Sequence, residues 1–236
     1  MGVRKYLLLW IIIFFWALLS SPSRAESLLK YNVRWLGFTA GKIQIKIQPK
    51  DQMTYVVAYS KTVGLVRLFF PFQSKWECWI GPDGYPVKSR IWRKRGDKEV
   101  TKEFVFQQEK GIVKRIYKGK VRIDKVDRKV YDELSAFVAS FKLQWEKPGA
   151  QKYFWIYSHR KAHQAVLTYA KDEEIKTYCG WVTAKRIQAD FGFQSELVKR
   201  ARKAVFWWWH KQMVQSEGDM PIGHLTAILR NPRCKP

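Results

Sequence analysis

The sequence predicts an all-β protein built mainly from antiparallel strands, and two kinds of observation support this. Apolar and polar residues alternate; in the segment 42–48, isoleucines share one face while Lys and Gln occupy the other, the pattern of a half-buried strand. Turn-forming sequences, such as Gly81-Pro82-Asp83-Gly84 and Lys118-Gly119-Lys120, separate such runs. Short connections favour hairpins over parallel crossovers. We therefore expect a strongly curved sheet or an open barrel.

The strand candidates follow one another along most of the chain, with a break at 37–41. They are residues 31–35, 42–48, 55–60, 76–80, 87–94, 100–107, 112–117, 121–126, 153–157, 164–169, 175–191, 204–210 and 225–229.

One helix is predicted, over residues 132–145. Asp132 is a suitable N-cap, apolar residues recur at helical spacing, and Lys147-Pro148-Gly149 stops the pattern. This helix could separate two sheets or pack into a single curved one. The apolar segment 63–72 contains Pro71, which excludes a regular central strand. It is expected to form either a short helical turn or an apolar loop.

Residues 1–25 have the features of a cleaved secretory signal. Arg4 and Lys5 precede an apolar run, and Ser23-Arg24-Ala25 offers small residues where signal peptidase cleaves. The run of about 14 residues is shorter than the roughly 20 that span a bilayer. An uncleaved membrane anchor is the alternative. We expect a mature single domain, residues 26–236, in the periplasm.

The charge balance is strongly basic, with a formal net charge of +24. Arg4, Lys5 and Arg24 contribute three of these charges, so the predicted mature chain carries +21. A positive field favours anionic partners. Outside the cytoplasm these are a membrane surface, lipid head groups or an acidic envelope polymer, whereas export argues against nucleic acid. A basic surface that serves only solubility is the alternative.

The three cysteines, Cys78, Cys179 and Cys234, permit one internal disulfide. Cys78 and Cys179 both lie inside patterned segments, so they are the expected pair. None has the paired C-x-x-C spacing of a zinc or redox site.

Three groups of residues form a recognisable order along the chain. The first group is Tyr31-x-Val33-x-Trp35-x-Gly37-x-x-x-Gly41, Thr62-Val63-Gly64-Leu65-Val66-Arg67 and Phe70-Pro71-Phe72. The second is Asp132-Glu133-Leu134-Ser135-Ala136, and the third is the segment from Val205 to His210 followed by Pro221-Ile222-Gly223-His224-Leu225. Together they resemble an exported bacterial family catalogued as domain of unknown function 3108. The resemblance implies a periplasmic β-rich protein and supplies no catalytic residues. By looser analogy it is similar to lipoprotein-carrier folds, in which a curved sheet encloses an apolar cavity.

No sequence motif for catalysis is present. Neither a G-x-S-x-G elbow nor a phosphate-binding glycine loop occurs. His159 and His163 have the spacing of helical zinc ligands, but they lack the Glu of H-E-x-x-H and flank a predicted turn at Arg160-Lys161. Cys179 could act as a nucleophile only if folding brought a histidine to it. We therefore expect no enzyme activity, no metal and no cofactor.

The aromatic surplus, including Trp207-Trp208-Trp209, favours binding of an apolar or amphiphilic envelope molecule in a concave cavity. The residues predicted to line or gate this cavity are Trp35, Phe69, Phe70, Phe72, Phe137 and Phe141, and those predicted to attract phosphates are Arg90, Arg93 and Arg95. The alternative is an envelope scaffold without a small ligand. A carrier requires a void of roughly several hundred Å³, whereas a scaffold interior would be close-packed.

Overall fold

A computed structural model describes residues 26–195, 201–219 and 223–234. These residues form one antiparallel sheet of 14 strands, so the all-β prediction is confirmed. The predicted signal segment lies outside the described residues. The strands are β1 (Ser27–Trp35), β2 (Phe38–Lys50), β3 (Met53–Thr62), β4 (Phe72–Ile80), β5 (Pro86–Arg95), β6 (Lys98–Gln107), β7 (Ile112–Tyr117), β8 (Lys120–Lys125), β9 (Gln151–Ser158), β10 (Lys161–Thr177), β11 (Gly180–Asp190), β12 (Lys203–Trp209), β13 (Gln212–Asp219) and β14 (His224–Leu229).

The strands pair as two meanders that meet in the middle of the sheet. The order is β8-β7-β6-β5-β4-β3-β2-β1-β14-β13-β12-β11-β10-β9. Every neighbouring pair is consecutive in sequence except β1 and β14, where Tyr31 lies opposite Leu229. The sheet is curved but does not close into a barrel, because β8 and β9 form its two edges.

Three predicted boundaries are wrong, each at a two-residue turn between neighbouring strands. The candidate strand 175–191 is interrupted at Tyr178 and Cys179, which connect β10 to β11. The break predicted at 37–41 is confined to Leu36 and Gly37, and a register shift between Val33 and Arg34 accommodates the rest of that segment. The turn predicted at Arg160-Lys161 lies one residue earlier, at His159 and Arg160.

Within the described residues, two α-helices lie between strands, and a 3-10 turn spans Gln108–Lys110. Helix α1 (Gly64–Phe69) shows that the helical alternative for segment 63–72 is the correct one. Helix α2 (Glu133–Ser140) begins after Asp132 as predicted, with a capping box in which the Asp132 carboxylate accepts from Ser135 N–H. In the described part of the chain, no helix is long and apolar enough to cross a lipid bilayer.

Helix α2 is shorter than the predicted 132–145. Its last turn tightens into i→i+3 hydrogen bonds, from Lys142 N–H to the Ala139 carbonyl and from Leu143 N–H to the Ser140 carbonyl. Bonds of this kind commonly end an α-helix. The chain then continues irregularly, and Trp145 packs edge-on against Tyr169 of β10 instead of extending the helix.

The core lies on the concave side of the sheet, where α2 packs. Phe137 of α2 and Phe141, the residue that follows the helix, contact each other edge to face. Phe141 contacts Trp208 of β12 in the same geometry, with ring centroids 5.2 Å apart. Tyr31, Val56 and Ile187 are fully or almost fully buried in the same cluster. The helix therefore packs into one curved sheet and does not separate two.

The two sheet edges are joined by side chains and by the segment between β8 and α2, which we call the strap (residues 126–132). Tyr131 of the strap pairs with Ile156 of β9 in a parallel bridge. At its other end, Val126 N–H donates to the Gly111 carbonyl. Gly111 has φ +59°, and a Cβ there would lie 2.4 Å from the Val126 oxygen, so this approach requires glycine.

Across the open seam between β8 and β9, one hydrogen bond joins the edge strands directly. The Tyr157 hydroxyl of β9 donates to Asp124 Oδ2 of β8 at 2.5 Å. Arg160, in the turn after β9, lies 3.8 Å from the same carboxylate. Burial and the Asp124 charge both raise the pKa of Tyr157, so its hydroxyl stays a donor at neutral pH.

The cysteine pairing predicted from sequence is wrong. Cys179, in the β10–β11 turn, is bonded to Cys234 near the C-terminus. Cys78 points from β4 into the core and is free, and its thiol lies 3.6 Å from Asp132 Oδ1. Burial and the neighbouring Asp132 raise the pKa of Cys78 well above its usual value, so this thiol is unreactive.

Differential alkylation checks this pairing. In the folded, non-reduced protein we expect iodoacetamide to modify no cysteine, and after unfolding without reductant to modify Cys78 alone. Reduction should lower the free energy of unfolding by about 4 kcal/mol, because the bond closes a long loop. Peptide mass spectrometry identifies the modified residue, and labelling of Cys234 before reduction would contradict the assignment.

The seam bond is tested by Tyr157→Phe, which leaves the Asp124 carboxylate without its hydroxyl donor. We expect a loss of about 1–2 kcal/mol in the free energy of unfolding, measured by urea titration. Tyr153→Phe is the matched control on the same strand, because Tyr153 is exposed and its hydroxyl bonds only Gln151. It should change stability by less than about 0.5 kcal/mol. Equal effects of the two substitutions would show that the seam bond contributes nothing.

Candidate functional site

The concave face changes from apolar to basic between β4 and β8. Residues directly opposite one another on paired strands point to the same face. One such row runs from Cys78 through Ser89, Phe104 and Arg115 to Arg122. The next row runs from Trp76 through Ile91, Lys102 and Tyr117 to Lys120. The concave face of the sheet is therefore apolar at β4 and β5 and carries several cationic side chains near its β8 edge.

A cavity of about 370 Å³ lies where this basic region meets the seam. Strands β4 to β7 form one wall, and the β9–β10 turn and the start of α2 form the other. The lining residues are Trp76, Ser89, Ile91, Lys102, Phe104, Phe106, Arg115, Asp132, Glu133, Tyr157, Ser158, His159 and Arg160.

The apolar part of the lining is aromatic and rigid. Phe104, Phe106 and Tyr157 pack against one another with centroid distances between 5.9 and 6.5 Å. Phe106 and Tyr157 also belong to a second buried cluster, together with Val113 and Val130 of the strap. The strap thus holds these rings in place, and the cavity has a preformed apolar wall.

Two buried hydroxyls in the lining, on Ser89 and Ser158, have no hydrogen-bond partner among the described residues. Ser89 is fully buried on β5, and Ser158 is 5 % exposed at the end of β9. A buried hydroxyl without a partner costs about 1–3 kcal/mol. A polar ligand group that reached either hydroxyl would recover part of this cost.

Cations of like charge face each other beside the cavity. Arg115 of β7 lies directly opposite Arg122 of β8, and like charges in this position destabilise a sheet. Arg160 enters from the β9–β10 turn, where its guanidinium lies 3.8 Å from the Asp124 carboxylate. Lys102 completes the basic wall from β6. An anion in the cavity would relieve the repulsion between these groups.

The acids at the base of the cavity already have donors. Asp132 accepts from Ser135 N–H at 2.6 Å, from Trp76 Nε1 at 3.3 Å and from the Cys78 thiol. Glu133 accepts from the Ser195 hydroxyl. These bonds cap α2 and fix it on the sheet. The acidic base and the basic wall therefore give the cavity a polarity, with its anion-binding side toward β6 and β7.

The structure does not bring the nine predicted ligand residues together, and none of them lines this cavity. Phe137 and Phe141 pack into the core beside Trp208. Phe69 and Phe70 are exposed on and after α1. Trp35 lies at the end of β1, near the β1–β2 turn. Strand pairing places Phe72, Arg93 and Arg95 on the concave side, where Phe72 is opposite Arg95 and Arg93 is opposite Ser74. Arg90 lies on the convex side, opposite Glu103.

The residues that line the cavity were missed because the strand β6 is ambiguous in sequence. Phe104 and Phe106 share a face with Lys102, while Val105 on the other face is also apolar. Alternation therefore does not tell which side is internal. One signal was available: Arg115 follows Val113 on the same face of β7, which places a cation on an apolar side.

The histidines do not assemble a reactive centre with Cys179, because that cysteine is held in the disulfide. His163 of β10 packs against Phe193, and burial lowers the pKa of His163. His159 contacts the Gln194 carbonyl from the β9–β10 turn. In residues 26–195, 201–219 and 223–234, no three His, Cys, Asp or Glu side chains are close enough to hold a metal ion.

A curved sheet with an open seam, packed around a helix, defines a β-barrel-like protein. The same class includes the β-barrel-like protein of domain of unknown function DUF1849 from Brucella abortus, which is 8% identical to this chain with a TM-score of 0.55 and covers 86% of this chain and 94% of its own. A protein with a YmcC-like fold from Bacteroides fragilis aligns with a TM-score of 0.35 at 9% identity, over 87% of this chain and 94% of its own.

The chain belongs to the family of proteins of unknown function DUF3108, whose profile matches residues 30–230. The resemblance inferred from the sequence motifs is thereby confirmed. No curated protein matches the chain. The family has no assigned activity.

Proposed function

We propose that this protein binds a small anionic amphiphile in the seam cavity and is not an enzyme. The observation that carries the proposal is the pairing, within one cavity, of a rigid aromatic wall with a basic one. A phosphate or carboxylate head group would contact Lys102, Arg115 and Arg160. The apolar part of the ligand would lie against Trp76, Phe104 and Phe106.

The size of the cavity limits the ligand. About 370 Å³ is near the lower end of the roughly 300–1,000 Å³ typical of small-molecule sites. The rest of the concave side is filled by α2 and the core cluster around it. The cavity therefore suits a single short chain with its head group, and its volume is of the several-hundred-Å³ size that a carrier requires.

The proposed setting is the periplasm. The basic start, apolar run and small-residue motif of residues 1–25 support export. The Cys179–Cys234 disulfide also supports export, because disulfides persist in oxidising compartments. In that setting the partners would be lipid-derived anions and not nucleic acid.

Calorimetric titration with decyl phosphate, below its micelle concentration, tests the proposal. We expect Arg115→Gln and Lys102→Gln each to weaken binding about tenfold, because each removes a charge-assisted hydrogen bond. Decanol should bind more weakly than decyl phosphate, since it lacks the anionic group.

Arg90→Gln is the matched control, because it removes the same charge from the convex side of the neighbouring strand β5. It should leave the affinity unchanged. Absence of decyl phosphate binding by the wild type, or equal weakening by Arg90→Gln and Arg115→Gln, would reject the proposal.

Ser89→Ala tests whether the Ser89 hydroxyl binds the ligand or stabilises the fold. The substitution removes a buried hydroxyl without a described partner, so we expect the free energy of unfolding of the ligand-free protein to rise by about 1 kcal/mol. Decyl phosphate should bind more weakly to the same variant. Lower stability with unchanged binding would show that the hydroxyl serves the fold instead.

A further inference from the structure

A second surface, separate from the cavity, exposes large apolar side chains at one end of the sheet. We call it the lip. It consists of the β1–β2 turn and α1, and its apolar members are Leu36, Phe38, Leu65, Leu68, Phe69 and Phe70, which are between 53% and 76% exposed. Exposed apolar clusters of this kind on a soluble protein mark interaction sites.

The lip is held by its backbone while its side chains point outward. Val63 N–H donates to the Ala40 carbonyl at 3.0 Å, which ties the start of α1 to β2. The Thr62 hydroxyl donates to the Phe70 carbonyl and accepts from Phe72 N–H, which fixes its end. None of the α1 residues is buried. A helix in which Arg67 is the one charged residue would normally bury at least one apolar face, but here Leu65, Leu68 and Phe69 are all exposed.

Basic residues surround the lip. Arg34 donates to the Gly37 carbonyl at the β1–β2 turn, Lys61 lies just before α1, and Arg67 lies within it. Arg95, opposite Phe72, adds an exposed cation from the next hairpin, whose turn also contains Asp97. Apolar and aromatic side chains ringed by Lys and Arg are typical of proteins that insert shallowly into an anionic bilayer surface.

The lip and the cavity lie at the same end of the sheet. Antiparallel pairing places the turns 36–37, 96–97, 118–119 and 159–160 together at one end. The last of these turns carries His159 and Arg160 of the cavity wall. A bilayer that contacted the lip would therefore face the same side as the basic end of the cavity.

We infer that the lip docks this protein on the surface of a membrane that contains anionic lipid. Phe69, Phe70, Leu65 and Leu68 enter the boundary between head groups and acyl chains. Arg34, Lys61 and Arg67 contact the phosphates above them. This inference uses surface residues that the proposed ligand site does not contain, so either can fail without the other.

Cosedimentation with phosphatidylcholine vesicles, with and without phosphatidylglycerol, tests the docking. We expect binding only when phosphatidylglycerol is present, with weakening at high salt. Leu68→Asp combined with Phe69→Asp should reduce the partition coefficient about a hundredfold or more, because two large apolar groups no longer enter the bilayer. Arg67→Gln should reduce it about fivefold.

Trp181→Asp is the matched control for Phe69→Asp. Trp181 is 69% exposed, close to the 76% of Phe69, but it lies at the opposite end of the sheet beside the β10–β11 turn. It should leave vesicle binding unchanged, and circular dichroism checks that each variant is folded. Equal losses from Phe69→Asp and Trp181→Asp would overturn the inference.

A second copy of the chain is the competing occupant of the lip. Sedimentation velocity distinguishes the two: a wild-type dimer that Phe69→Asp converts to a monomer, with no effect on vesicle binding, would overturn membrane docking. The proposed ligand site is followed separately by titrating Phe69→Asp with decyl phosphate. The Phe69→Asp variant should bind decyl phosphate with the affinity of the wild type, and the Arg115→Gln variant should still bind vesicles.

Discussion

The structure depends on the contacts that join the two unpaired edge strands of one long antiparallel sheet. Curvature brings β8 and β9 near each other, but they do not exchange backbone hydrogen bonds. The strap, the Tyr157–Asp124 bond and Arg160 join them instead. An unpaired edge normally invites association with other strands. Here the charged side chains of β8, with Lys120 and Arg122 on its inner face, oppose such pairing.

The candidate binding site is a consequence of this incomplete closure. If β8 and β9 were paired by backbone hydrogen bonds in a closed barrel, polar side chains would not be needed to join them. Because the edges meet through side chains, cations from β6, β7 and the β9–β10 turn gather there with buried serine hydroxyls and aromatic rings. Hydrogen bonds from Trp76, Cys78 and Ser195 fix the carboxylates of Asp132 and Glu133 at the start of α2. Fold and proposed chemistry thus share the same few residues.

Local sequence was sufficient to predict the fold class and the start of the main helix. The isoleucines of β2 alternate cleanly, and Asp132 forms the expected cap with Ser135. The site was not predictable in the same way, because it depends on which strands meet across the seam. The cysteine pairing failed for a different reason: Cys179 and Cys234 are 55 residues apart in sequence, and only the folded chain brings the β10–β11 turn to the segment after β14. Phe69 and Phe70 were predicted to line or gate the cavity, but they are exposed and lie outside it, since alternation and helical spacing do not reveal which way these side chains face.

The meeting of β1 with β14 in the middle of the sheet has a consequence for how the chain folds. Every other strand pairs with a neighbour in sequence, so each meander needs only short loops to form. Joining Tyr31 to Leu229 instead requires almost the whole chain to be closed into one loop, with a correspondingly larger entropic cost. The two halves are therefore expected to assemble independently, with their central junction formed last. Until that step, the inner strands β1 and β14 also present uncovered backbone to other chains, in addition to the edge strands β8 and β9.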